Sequence, residues 1–85
     1  MKKIIMYGTP WCADCNRSKA ILEDFGLEYE YIDIDKDEDA AQKVMKVNQG
    51  RRVVPTLIID GKAHSNPDYL ELKELLEGLE GNGNN

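Results

Sequence analysis

The chain has 85 residues, 32% of them charged, and a formal net charge of −5. That length holds one domain with a small core, and the acidic balance excludes the basic surface that nucleic acid or anionic lipid requires. No apolar run nears the roughly 20 residues that cross a bilayer. Met1-Lys2-Lys3 is not followed by a long apolar stretch, so no signal peptide and a cytoplasmic location are expected.

Lys3 to Tyr7 is short, apolar and β-rich, and predicts a buried central strand. Gly8-Thr9-Pro10 ends it with turn chemistry. The run Asn16–Phe25 predicts a helix, with Cys15, Ser18, Leu22 and Phe25 at helical spacing, Ile21 beside them, and Gly26 as its stop. Arg17 reads as a solvated residue of that helix. Leu27 to Ile34 is the second strand, where Tyr29 and Tyr31 pack and Glu30 and Asp33 face water. Strand, helix and strand in so short a space give a parallel pair with a right-handed crossover.

Asp35-Lys36-Asp37-Glu38-Asp39 lacks the pattern of a calcium loop. It reads as a helix start, with Asp37 as cap and acids in the first turn. Ala40, Ala41, Val44, Met45 and Val47 form the expected inner face, and Asn48-Gln49-Gly50 ends the helix. Arg51 and Arg52 lead into an apolar strand, Val53–Ile59. Pro55 costs that strand a ladder hydrogen bond, so it must lie at an edge, a bulge or a special turn. Asp60-Gly61 signals a hairpin, with Lys62-Ala63-His64 as a short antiparallel return. Asn66 as cap and Pro67 at the first helical position open the last helix, whose stripe is Tyr69, Leu72, Leu76 and Leu79, joined by Leu75. Gly78 and the Gly81–Asn85 segment are expected to fray, which gives a domain over 1–77 and a flexible tail over 78–85. The order β-α-β-α-β-β-α is an α/β arrangement with helices on both sheet faces.

The chemistry concentrates in Thr9-Pro10-Trp11-Cys12-Ala13-Asp14-Cys15, which holds both cysteines. Strand, turn, thiols and helix in that order put sulfur at a helix start. Unpaired N–H groups and the positive dipole end meet it there, and a thiolate so placed has a pKa below the free value of about 8.5. Cys12 is therefore the expected nucleophile. Cys15, one turn inside and on the same face, is the resolving thiol that attacks a mixed disulfide on Cys12. Asp14 opposes the thiolate and moderates the effect. A structural disulfide would close too short a loop to restrict the unfolded chain. Structural zinc takes four ligands and His64 is the sole histidine, so no metal site is expected. Trp11 either lines the approach to Cys12 as an apolar docking surface or packs as a partly buried core ring.

Cys-x-x-Cys beside a β-α-β pattern is a known signature of thioredoxin-like redox proteins. With Val53-Val54-Pro55-Thr56 added, the chain resembles a glutaredoxin over residues 1 to about 77. The resemblance implies the thioredoxin fold: a four-stranded mixed sheet with three helices on both faces. It also implies a cis Val54–Pro55 bond beside the cysteines, with the Val54 backbone free to pair with an extended substrate. Trp11-Cys12-Ala13-Asp14-Cys15 departs from the usual Cys-Pro-Tyr-Cys, and Ser65-Asn66 stands where typical members have Gly-Gly. The run Val47–Thr56 and Ser65-Asn66-Pro67 are more similar to the mycoredoxin branch, whose members act on mycothiol.

In function, the resemblance implies a thiol–disulfide oxidoreductase, with Cys12–Cys15 as its redox-active disulfide and Trp11, Arg52, Val54, Pro55 and Asp68 as substrate-binding residues. Arg52 matches positions near a carboxylate contact, and Asp68 matches the acidic residue that meets the glutathione amine. The same two residues also read as a solvated loop base and a first-turn helix acid. No bound cofactor is implied. Glutathione or another low-molecular-weight thiol is the co-substrate, disulfide-containing proteins are the partners, a small thiol or a reductase is the electron donor, and one chain is the working unit. The alternative is an iron–sulfur carrier, because glutaredoxin relatives can hold a cluster between two subunits through the first cysteine and a small thiol.

Overall fold

The computed structural model describes residues 3–83, with side chains to residue 78. Seven elements follow in order: β1 Ile4–Gly8, α1 Ala13–Asp24, β2 Glu30–Asp33, α2 Glu38–Val47, β3 Thr56–Ile59, β4 Lys62–Ser65 and α3 Tyr69–Gly83. The sheet runs β2-β1-β3-β4. β1 is parallel to β2 and antiparallel to β3, and β3 is antiparallel to β4. This is the thioredoxin fold, with β1 central as its apolar run requires.

Strand alternation divides the core. Ile4 and Met6 of β1 and Leu57 and Ile59 of β3 face one way, where Ile21 and Leu22 of α1 and Leu72 and Leu76 of α3 cover them. Met6 lies opposite Leu57 and Ile4 opposite Ile59, so the two strands present one continuous apolar face. The other face carries Ile5, Tyr7 and Ile58, and α2 covers it with Ala40, Ala41 and Val44. Burying a side chain such as Leu72 or Leu76 stabilises the fold by about 1.5–3 kcal/mol. Helices on both faces, and a period of two in the strands between them, are the same fact seen twice.

Helix α1 ends as Gly26 indicates. Gly26 has φ +68°, its N–H donates to Glu23 O at 2.9 Å, and Leu27 N–H reaches back to Leu22 O at 3.1 Å. That closure consumes Leu27, so β2 begins at Glu30 and not at Leu27. In α2, Asp37 caps through Oδ1 on the Ala40 N–H at 3.0 Å. Its inner face is narrower than the apolar pattern suggests: Val47 is exposed, and Asn48 turns inward instead. Asp60 and Gly61 take φ +53° and +83°, the paired positive angles of a tight hairpin turn.

Other expected boundaries move as well. β3 starts at Thr56, not Val53, because Pro55 has no N–H for the ladder; the Val54–Pro55 bond is cis. The last helix is capped by Asp68, not Asn66. Asp68 Oδ1 accepts the Glu71 N–H at 2.9 Å while Glu71 Oε1 accepts the Asp68 N–H at 3.1 Å, a reciprocal capping pair. Asn66 has φ +41° and gives its N–H to Pro55 O at 2.7 Å. Tyr69, expected in the apolar stripe, is exposed for the same reason: the helix starts with it and Leu72 is the first residue to turn inward. The helix continues through Gly78 to Gly83. The Leu79 side chain and the final two residues of the expected tail, Asn84 and Asn85, lie outside the described parts.

Candidate active site

The site forms where β1 hands the chain to α1. Thr9 and Pro10 turn it, and Cys12 becomes the N-cap of α1 with φ −89° and ψ 113°. Its carbonyl accepts the Asn16 N–H at 3.2 Å. Its Sγ does what a serine oxygen does in other caps: it accepts a first-turn amide, the Cys15 N–H, at 3.1 Å. That amide and the dipole behind it face any negative charge on the sulfur. Cys12 Sγ also approaches the Val54 carbonyl at 3.8 Å.

Cys15 is the more enclosed thiol, fully buried against 7% exposure for Cys12. Both are free thiols. Burial, reinforced by the hydrogen bond and negative charge of Cys12, pushes the Cys15 thiol up to about 12. Gly8 makes room for it: a Cβ at that position would lie 2.8 Å from Cys15 Sγ and 3.2 Å from Tyr31 Cε1. Lys19 Nζ sits 3.7 Å from the centre of the Tyr31 ring, a cation–π distance. Burial raises the Tyr31 phenol above its ordinary value, with Asp33 adding to it.

The segments that neighbour the two cysteines are tied down by hydrogen bonds. The Val54–Pro55 segment is held from behind by a buried polar cluster: Asn48 Nδ2 donates to Val44 O at 2.7 Å and to Thr56 Oγ1 at 3.2 Å. Thr56 Oγ1 donates to Val53 O at 2.8 Å, and Ser65 Oγ donates to Asn48 Oδ1. Among the described residues the Val54 N–H has no partner. In front, Asp35 joins two of the expected substrate residues. Its Oδ2 accepts the Trp11 indole N–H at 3.0 Å and its Oδ1 accepts Arg52 Nη2 at 2.8 Å. Arg52 also donates to Ile34 O at 3.3 Å. Arg52 and Trp11 together hold the Asp35 carboxyl below the usual carboxylate range. Asp14 pairs with Arg17 at 3.3 Å and accepts Asn66 Nδ2 at 3.3 Å.

Cys12, Cys15 and the Val54–Pro55 segment therefore come together as the family resemblance implies, and Trp11 and Arg52 are linked through Asp35. Trp11 is 70% exposed, so the indole lies over the surface and not in the core. Arg17 is not merely solvated: it holds Asp14. Asp68 is occupied as a helix cap, and none of its hydrogen bonds reaches the thiol loop. Asp35 and Asn48 are the residues that reading the sequence missed. Asp35 follows a parallel strand at the sheet end where α/β loops converge, which is the one signal that marks it.

Residues 4–64 match the Glutaredoxin family model. Mycoredoxin 1 of Corynebacterium glutamicum is 39% identical over 80 residues, covering 93% of this chain and 99% of that protein. The crystal structure of a glutaredoxin from Methanosarcina mazei superposes with a TM-score of 0.74 at 32% identity, covering 87% of this chain and 77% of that one. The glutaredoxin-like NrdH-redoxin of Escherichia coli, a protein with a thioredoxin-like activity profile, gives 0.73 at 26% identity, covering 86% and 93%. With a capped sulfur at a helix start, a buried second thiol behind it and a cis proline across from it, the chain belongs to the glutaredoxin family.

Proposed function

We propose that the protein is a thiol–disulfide oxidoreductase in which Cys12 attacks a substrate disulfide. The observation that carries this is the Cys15 N–H aimed at Cys12 Sγ at 3.1 Å, with Cys15 itself buried. One sulfur thereby faces an amide of the helix start, and burial keeps the other protonated beside it. The attack forms a Cys12–substrate disulfide and releases the substrate's other sulfur as a thiolate, which takes a proton from solvent.

Two routes finish the cycle. In the first, Cys15 displaces the substrate as a thiol and closes Cys12–Cys15, and a small thiol or a reductase then supplies the two electrons that restore the dithiol. The Cys12 anion no longer exists in the mixed disulfide, so its hydrogen bond and charge no longer oppose Cys15 ionisation, and only burial does. In the second, a low-molecular-weight thiol such as glutathione or mycothiol attacks the substrate-side sulfur and frees Cys12. Protein disulfides are docked as extended segments on the Val54 N–H beside Pro55, a strand-addition contact. Trp11 covers the apolar side of the substrate, and Asp68 offers its charge to an amine. The working unit is one chain, in a reducing compartment such as the cytoplasm where a dithiol persists.

Reduction of a mixed disulfide by the wild type, Cys12→Ser and Cys15→Ser tests the reading. Cys12→Ser should lose turnover altogether, and retained turnover would end the proposal. Cys15→Ser that still turns over mixed disulfides of small thiols identifies the second route, and loss there identifies the first.

A further inference from the structure

The two arginines that contacts fix around the thiol loop are both engaged by carboxylates. Arg17 Nη1 lies 3.3 Å from Asp14 Oδ1, and Arg52 Nη2 lies 2.8 Å from Asp35 Oδ1. Each carboxylate is tied a second time through its other oxygen, Asp14 by Asn66 and Asp35 by the Trp11 indole. Trp11 immediately precedes Cys12, and Arg52 stands two residues before the Val54 carbonyl that Cys12 Sγ approaches. The Asp35 carboxylate thus links the segment that carries Trp11 and Cys12 to the segment that carries Arg52 and Val54, the two that meet at Cys12 Sγ. An anionic group arriving there would have to displace a charge-assisted hydrogen bond and would then face the displaced carboxylate. A neutral or cationic group meets neither obstacle.

We propose that Asp35 determines the charge selectivity of Cys12: by holding Arg52 it disfavours anionic disulfides and favours neutral or cationic ones. The proposal rests on Cys12 being the attacking thiol, as argued above. The step is thiol–disulfide exchange. The Cys12 thiolate bonds to one sulfur of the small disulfide, the S–S bond breaks, and the second sulfur leaves as a thiolate with the electron pair.

Single-turnover rates of the reduced protein with cystamine (cationic), bis(2-hydroxyethyl) disulfide (neutral) and 3,3′-dithiodipropionate (anionic) provide the test. These compounds differ in leaving-group acidity, so the readout is the anion-to-cation rate ratio of a variant divided by that of the wild type. Asp35→Asn keeps the side-chain shape and leaves Arg52 uncompensated. It should raise the ratio about threefold to tenfold at low salt, with the effect shrinking at about 0.5 M salt. Arg52→Gln leaves Asp35 uncompensated and should lower the ratio. A folding defect would not move it in opposite directions. Ratios unchanged in both variants, or moved the same way, would overturn the proposal. A second reading separates it from disulfide reduction itself: in Cys15→Ser protein, alkylation of Cys12 by iodoacetate relative to iodoacetamide should be faster in Asp35→Asn than with Asp35 in place. If the alkylation ratio shifts while no disulfide reacts, the charge selectivity stands and the oxidoreductase reading falls. An unshifted alkylation ratio overturns the selectivity whatever the disulfides do.

Discussion

At the scale of single residues, the position that most constrains the thiol pair carries no functional group at all. Gly8 ends the central strand, and the second sulfur occupies the space its missing side chain leaves. A methyl group there would sit 2.8 Å from Cys15 Sγ, well inside contact distance, in a part of the core with little freedom to adjust. Gly8→Ala should therefore destabilise the reduced protein by about 1–3 kcal/mol, the usual range for overpacking. It should also slow closure of Cys12–Cys15, since Cys15 is the residue displaced. A double-mutant cycle by urea unfolding checks the cause: in a Cys15→Ala background the penalty should fall by more than half, because the clashing sulfur is gone. Equal penalties in both backgrounds would mean that Tyr31, 3.2 Å away on the other side, is the real obstacle.

Among the elements, α3 shows where a sequence can be read and where it cannot. Ser65-Asn66-Pro67 has the form of a cap followed by a first-turn proline, yet the helix starts at Tyr69 under an Asp68–Glu71 pair. The reason is tertiary: Asn66 spends its N–H on Pro55 O and its side-chain amide on Asp14, two contacts far apart in the chain that no local pattern announces. The same division holds across the site. Cys12 and Cys15 are legible because they have local signatures, a spacing and a helix start; a proline inside a strand marks Pro55 as an irregularity, and its cis bond follows only from the family resemblance. Asp35 and Asn48 are not legible, because each acts through partners distant in the chain, Trp11 and Arg52 for one and Thr56 and Ser65 for the other. Asp68 is the residue whose two readings can be separated by experiment. Asn caps a helix as well as Asp does, whereas Ala costs about 1 kcal/mol. Asp68→Ala should lower stability by roughly that amount and Asp68→Asn should not. If Asp68→Asn also leaves the KM for a glutathione mixed disulfide unchanged, the carboxylate serves the helix alone; a raised KM with unaltered stability assigns it the amine contact.

For the whole molecule, burying a thiol makes stability depend on pH in a way that isolates Cys15. An 85-residue chain has a small margin of stability, and this one encloses an ionisable sulfur at the junction of sheet and helix. The folded thiol is raised from 9.0 to about 12, chiefly by burial. Well below pH 9.0 the folded and unfolded states are both protonated, so Cys15 gives no pH dependence there. Between 9.0 and about 12 the unfolded chain gives up a proton that the folded one retains. Stability must then fall as pH rises, with a limiting slope of about 1.4 kcal/mol per pH unit for one proton. Buried tyrosine phenols act in the same direction: Tyr29 and Tyr31 are both raised, first by burial. They are common to the wild type and to Cys15→Ala. Urea unfolding of the two reduced proteins from about pH 8 to about pH 10.5 should therefore give curves whose separation changes little at about pH 8 and increasingly above about 9, with the wild type losing stability faster. The oxidised protein is no substitute for Cys15→Ala as control, since the disulfide also alters the unfolded chain. Parallel curves throughout would show that Cys15 ionises as readily in the fold as outside it. The proposal that the inner sulfur stays protonated beside the attacking one would then have no basis in burial.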